Sequence, residues 1–116
     1  MLTIIENFNK AFNLHDVDAM MDLMTEDCLF DNTFPPPDGE SIRGKVFVKK
    51  FWYTFFQNSP KANIEIEEII DCGERIIQRW VYHWEESNGK KGYVRGVDVI
   101  LMRDSLILEK RSYVKG

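Results

Sequence analysis

The sequence predicts an α+β fold in which three helices of the N-terminal half pack on the concave face of a strongly curved antiparallel sheet. The expected shape is a cone with an internal cavity. Two observations on the pattern carry this. Apolar residues recur at helical spacing up to about Asn58 and alternate with polar ones afterwards. The two kinds of segment are grouped rather than interleaved, which suits helices laid on a meander and not βαβ units. A third observation is compositional. Eight Phe, four Tyr and three Trp in 116 residues supply rings to both groups, and a curved sheet closed by helices buries both sets in one place.

Thr3-Ile4-Ile5-Glu6 has the spacing of a capping box, and Ile4, Ile5, Phe8 and Phe12 continue at helical intervals to about Asn13. Asn13-Leu14-His15-Asp16 reads as a turn. Asp16 caps a second helix whose buried stripe is Val17, Met20, Leu23 and Met24. Leu29 to Asn32 fits a short strand. Pro35-Pro36-Pro37-Asp38-Gly39 is a loop, because three prolines remove three backbone donors. From about Lys45 to Asn58 a third helix carries Phe47, Phe51 and Phe55 on one side with Val48, Trp52 and Phe56 beside them, and Ser59-Pro60 stops it.

The remaining segments alternate. Ile64 and Ile66 interleave with Glu65 and Glu67, and Cys72-Gly73 turns the chain. In a strand from about Glu74 to Glu86, Trp80, Tyr82 and Trp84 share one face while Arg79, Val81 and His83 share the other. Asn88-Gly89 marks a hairpin. Strands from about Tyr93 to Arg103 and from Leu106 to Val114 follow, joined at Asp104-Ser105. One domain spanning residues 1–116 is expected, without repeat or linker.

Composition excludes several classes of function. Fifteen Lys+Arg against nineteen Asp+Glu gives a net charge of −4, and the lysine pairs 49–50 and 90–91 are isolated, so nucleic acid is not the expected partner. No apolar run is long enough to span a bilayer, so no membrane role is expected. The N-terminus does not read as a secretory signal, and Cys28 and Cys72 read as two reduced thiols. A cytoplasmic location follows as an expectation. There is no phosphate-binding loop, nucleophile elbow or dinucleotide fingerprint. His15, in a turn, and His83, on a strand, do not make a metal site. Neither cofactor nor metal is expected.

Asp98 is the residue that asks for an explanation. It interrupts Tyr93 to Met102, an apolar strand, and alternation puts it on the face of Val94, Gly96, Ile100 and Met102. A carboxylate there is costly unless paired or protonated. Two readings stand level: an acid or base acting on a bound molecule, or a partner for a basic neighbour such as Lys110 on the last strand. Asn32 follows Phe30 on the inward parity of the first strand, where it either presents an amide to the cavity or begins the proline loop, and spacing favours the loop. Phe8, Phe12, Phe51, Phe55, Trp80, Tyr82 and Trp84 fill a core or line a pocket. Seven large rings around one carboxylate tip the reading towards a pocket. The opposite sheet face, with Arg79, Val81, His83, Arg95, Val97 and Val99, mixes charge and aliphatics as a subunit interface does.

Several segments in this order resemble the SnoaL-like branch of the NTF2-like superfamily, which includes ketosteroid isomerases, polyketide cyclases and limonene-epoxide hydrolases. They are Asn13 to Asp18, Thr25 to Asn32, Arg43-Gly44, Gly96 to Val99 and the closing Glu109 to Gly116. The resemblance covers nearly the whole chain and is specific for the fold rather than for a reaction. It implies a catalytic aspartate at Asp98. It places Asn32 where the isomerase base stands and Phe8 where its tyrosine stands, so steroid isomerisation is not expected. For the hydrolase relay Asn32 and Arg79 match, whereas Phe30, Val81 and Ser112 replace its tyrosine and two aspartates. It also implies a homodimer paired through the outer sheet face.

The expected partner is a small apolar or cyclic molecule. It would be held by Asn32, Phe8, Phe12, Phe30, Phe51, Phe55, Trp80, Tyr82, Trp84 and Lys110. With Asp98 as acid or base, the chain would be an isomerase, cyclase or lyase that needs no cofactor. The alternatives are a non-catalytic binding protein using the same pocket, and a dimeric interaction module whose cavity has collapsed.

Overall fold

A computed structural model describes residues 2–116. Its elements run α1 (Leu2–Asn13), α2 (Val17–Asp22), β1 (Met24–Asp31), β2 (Ser41–Arg43), α3 (Lys45–Asn58), β3 (Asn63–Cys72), β4 (Arg75–Glu85), β5 (Lys91–Arg103) and β6 (Leu106–Val114). The strands form one sheet in the order β2-β1-β6-β5-β4-β3. Adjacent strands are antiparallel except β1 and β6, which run parallel, so the sheet is mixed rather than purely antiparallel. Four strands and α3 separate β1 from β6 in the chain, a connection long enough for a parallel pair. Register shifts at Ile66/Glu68 and at Leu101/Met102 interrupt the long ladders, and such irregularities bend and twist a strand locally.

α1 is amphipathic and buries Ile5, Phe8, Asn9 and Phe12. It begins at Leu2, which puts Thr3 inside the first turn and not at the cap expected from the sequence. The Asp16 carboxylate accepts from the Ala19 backbone N–H at 3.1 Å and caps α2, as expected. Met24 opens β1 instead of closing the stripe of α2, and Met21 is buried in that stripe. β1 is longer than expected because residues 24–28 already pair or bulge beside β6. The three-residue β2 was not foreseen, being too short to show any period; it pairs Leu29 with Arg43 and Asp31 with Ser41.

α3 has the expected bounds, but its rows of rings sort differently. Val48, Trp52 and Phe56 face the core at i, i+4 and i+8, Phe51 and Phe55 are half-buried, and Phe47 is exposed. Phe8, Met20, Met24, Cys28, Ile76, Ile100 and Ile107 join them in one core cluster.

A repeated device seats two tryptophans on the sheet. Trp80 stands opposite Gly96 in the β4–β5 register, and Trp84 stands opposite Gly92. A Cβ on Gly96 would collide with the Trp80 indole and with the Tyr113 carbonyl oxygen. One on Gly92 would collide with the Trp84 indole. Each glycine lets a ring lie across the neighbouring strand. Gly96→Ala is therefore expected to destabilise the fold by about 1–3 kcal/mol, the usual cost of overpacking. Urea denaturation checks it: the midpoint should fall, and an unchanged midpoint would contradict this account of the glycine.

Candidate functional site

Between the helices and the concave sheet face lies a cavity of about 110 Å³. α1 contributes Phe12, β1 and the residues after it Phe30, Asn32 and Thr33, and α3 Phe51, Trp52 and Phe55. The sheet contributes Ile64, Trp80, Tyr82, Val94, Lys110 and Ser112. The rings pack on one another as well as on the cavity. Phe30 stacks on Trp52 with centroids 4.9 Å apart, Phe12 meets Trp52 edge-on at 5.5 Å, and Phe55 reaches Tyr82 at 6.1 Å.

Three residues expected at the site do not border this cavity. Phe8 is spent on the core, one helical turn before the Phe12 that does line the cavity. Trp84 stacks on Tyr82 and faces a separate groove beside Asn58 to Ala62 and Glu85 to Gly89. Tyr82 is a wall of both. Burial pushes its hydroxyl pKa up, against a smaller lowering by a hydrogen bond with Ser59. The third is Asp98, which lies fully buried beneath the floor.

Asp98 is surrounded by donors. Ser112 Oγ donates to Asp98 Oδ1 at 2.6 Å, and Gln78 Nε2 donates to Oδ2 at 2.8 Å. Lys110 Nζ lies 3.3 Å from the same Oδ2 and 3.3 Å from Ser112 Oγ, to which it donates. Gln78 is held in turn by Asn9 of α1: Asn9 Nδ2 donates to Gln78 Oε1 at 2.8 Å, and Gln78 Nε2 reaches Asn9 Oδ1 at 3.2 Å. The reciprocal amides fix which end of Gln78 faces the carboxylate. This arrangement satisfies Asp98 as an acceptor on both oxygens. The pairing with Lys110, one of the two readings of the sequence, is present.

Lys110 is the charged group that does border the cavity. Its side chain is about nine-tenths buried, and its ammonium sits 5.0 Å from the centre of the Phe30 ring. Asn32 lines the rim but spends its amide on its own loop: Oδ1 accepts from the Thr33 N–H at 2.8 Å, and Nδ2 donates to the Phe34 carbonyl at 3.4 Å. Sequence reasoning missed Gln78 and Asn9. A signal existed for each, since Gln78 lies on the inward parity between Ile76 and Trp80, and Asn9 lies four residues after Ile5.

The other polar candidates stand elsewhere. Arg79 is on the outer face, paired with Glu68 at 2.8 Å and Glu67 at 3.5 Å, so the hydrolase-like relay has no arginine at the cavity. His83 pairs with Glu65 on that face. His15 stacks on Phe56 at 4.2 Å with its Nε2 2.7 Å from the Ala62 carbonyl oxygen, a structural role in the turn. Among the described residues no three His, Cys, Asp or Glu side chains converge as metal ligands.

Helices closing one face of a curved, six-stranded mixed sheet over a ring-lined cavity define a small cone fold. The chain belongs to the SnoaL-like family, whose domain model matches residues 5–110, and so to the NTF2-like superfamily. It is similar to an NTF2-like protein of unknown function from Mesorhizobium loti, at 34% identity over 99% of this chain and 90% of that one, with a TM-score of 0.82. Rv0760c from Mycobacterium tuberculosis, in complex with estradiol-17β-hemisuccinate, is 25% identical over 97% and 91% of the two chains, with a TM-score of 0.83. TerC co-crystallised with polyporic acid is 15% identical over 98% and 90%, with a TM-score of 0.84, a likeness of fold alone. No curated protein matches the sequence significantly.

The buried pair generates a stability prediction. Lys110→Met leaves Asp98 without its counter-charge and is expected to cost about 3–5 kcal/mol. The double variant Asp98→Leu/Lys110→Met removes both charges and is expected to recover much of that loss. Denaturant unfolding of the wild type, the two single variants and the double variant measures the coupling directly.

Proposed function

We propose that this chain binds a small apolar molecule inside the cone, with the ring walls burying it and Lys110 and Ser112 making its polar contact. The observation that carries this reading is the one cationic side chain at the floor of an aromatic cavity, held there by a carboxylate beneath. Similar proteins crystallised with small molecules support it, since Rv0760c holds estradiol-17β-hemisuccinate and TerC polyporic acid.

An isomerase, cyclase or lyase would need Asp98 to exchange a proton with the ligand. Both of its oxygens accept from Ser112, Gln78 and Lys110, and it does not border the cavity, so the geometry favours binding over turnover. A thermal-shift screen against cyclic ketones, terpenoids and aromatic polyketides, run with wild type and Asp98→Asn, tests both readings. A ligand at 100 times its dissociation constant stabilises a fold by about 2.7 kcal/mol. The expected outcome is a rise in melting temperature for wild type without product formation. Multiple turnovers that vanish in Asp98→Asn while binding persists would restore the enzyme.

Two further parts of the proposal concern state and place. The outer face leaves Tyr93 and Tyr113 exposed beside Val97 and the Arg79 and Arg95 ion pairs, which supports pairing of two copies through it. Light scattering should then give twice the chain mass, and a monomer would overturn the pairing. Two unbridged thiols, Cys28 buried and Cys72 exposed, support a reducing compartment such as the cytoplasm.

A further inference from the structure

We propose that the ligand is an electrically neutral, single-ring compound carrying one carbonyl oxygen, a refinement that rests on the binding role proposed above. Size is the first argument. The cavity measures about 110 Å³. A dry cavity of about 150 Å³ accepts benzene, whereas drug-sized ligands occupy roughly 300–1,000 Å³. One ring fills this space; fused rings would have to extend through its open side or part the walls. Those walls are rings wedged against each other, Phe30 on Trp52 and Phe12 on Trp52, so parting them breaks the packing of the core.

The second argument is the inventory of donors. The Lys110 ammonium has three hydrogens, and its oxygen neighbours among the described residues are Asp98 and Ser112. The third hydrogen has no oxygen acceptor there. Trp80 borders the same cavity, and its indole N–H is buried with no acceptor among the described residues. A buried donor without an acceptor is costly and uncommon. The Lys110 ammonium, with a hydrogen to spare beside this small apolar space, calls for an acceptor oxygen on the molecule that fills it, and the Trp80 ring is a wall of the same space.

Charge selects among the oxygens. Asp98 and Lys110 already neutralise each other at 3.3 Å. A carboxylate or phenolate bound beside them would leave one uncompensated negative charge among aromatic walls, which burial penalises heavily. A carbonyl oxygen accepts from the ammonium and leaves the balance unchanged.

The test is a 1H–15N NMR titration of the full chain, following the Trp80 indole N–H and the Ser112 amide. Four probes are used: cyclohexanone, methylcyclohexane, cyclohexanecarboxylate and the two-ring 2-decalone. The inference expects cyclohexanone to shift both signals and to bind at least tenfold more tightly than each of the others. Methylcyclohexane binding as tightly would overturn the need for an acceptor oxygen. Cyclohexanecarboxylate binding as tightly would overturn the charge argument, and 2-decalone the size argument. In those three cases the binding role stands. Failure of all four probes to perturb the cavity signals would overturn the binding role as well. Lys110→Met should erase the advantage of cyclohexanone over methylcyclohexane, and a retained advantage would remove Lys110 from recognition. The wild-type ranking decides the proposal even if that variant does not fold.

Discussion

A carboxylate with no exposure to water is costly unless it is protonated or surrounded by donors. Asp98 meets that constraint with groups from three other elements: Gln78 of β4, Ser112 and Lys110 of β6, and, through Gln78, Asn9 of α1. The first helix is thereby tied to the middle of the sheet by a polar chain and not by apolar packing alone. Uncoupling such a group typically costs about 3–5 kcal/mol, a large share of the roughly 5–15 kcal/mol that stabilises a domain. The same constraint sets the chemistry of the cavity. Lys110 is held beside the Phe30 ring with Asp98 behind it, and it is the charged side chain among the cavity's mostly aromatic walls.

The rings divide between structure and site according to how the elements rotate. α3 turns Val48, Trp52 and Phe56 into the core, so Phe51 and Phe55 on the adjoining row are left to face the sheet. Trp80 is pressed over Gly96 and Trp84 over Gly92, and the strand between them carries Tyr82 and Val94 as a paired rung on the concave face. Phe12, Phe30, Phe51, Trp52 and Phe55 pack on one another as well as on the cavity. What remains is small, a space of about 110 Å³.

Much of this was legible in the chain. Period and punctuation located all three helices and the four long strands, because amphipathic segments with clear stops leave a pattern in the residues themselves. β2 and the early part of β1 were not legible, since three residues carry no period and a bulged strand breaks its own. Asp98 stood out as a charge on an apolar parity, and Lys110 was visible as a partner on the next strand. Gln78 and Asn9 passed unnoticed, because a neutral amide on an inward face raises less alarm than a charge, and their link joins residues 69 positions apart. Which rings line the cavity was not legible either. Phe8 and Trp84 share the inward parity of the wall residues, and only the crossing of helix over sheet assigns them to the core and to a separate groove.

The central claim is that Asp98 acts beneath the site and Lys110 within it. A crystal structure of the protein soaked with cyclohexanone tests this most directly. The account predicts the ketone oxygen within about 2.7–3.2 Å of Lys110 Nζ, with Asp98 still accepting from Gln78 and Ser112. A ketone oxygen seated on Asp98, with Lys110 turned away from the cavity, would contradict it.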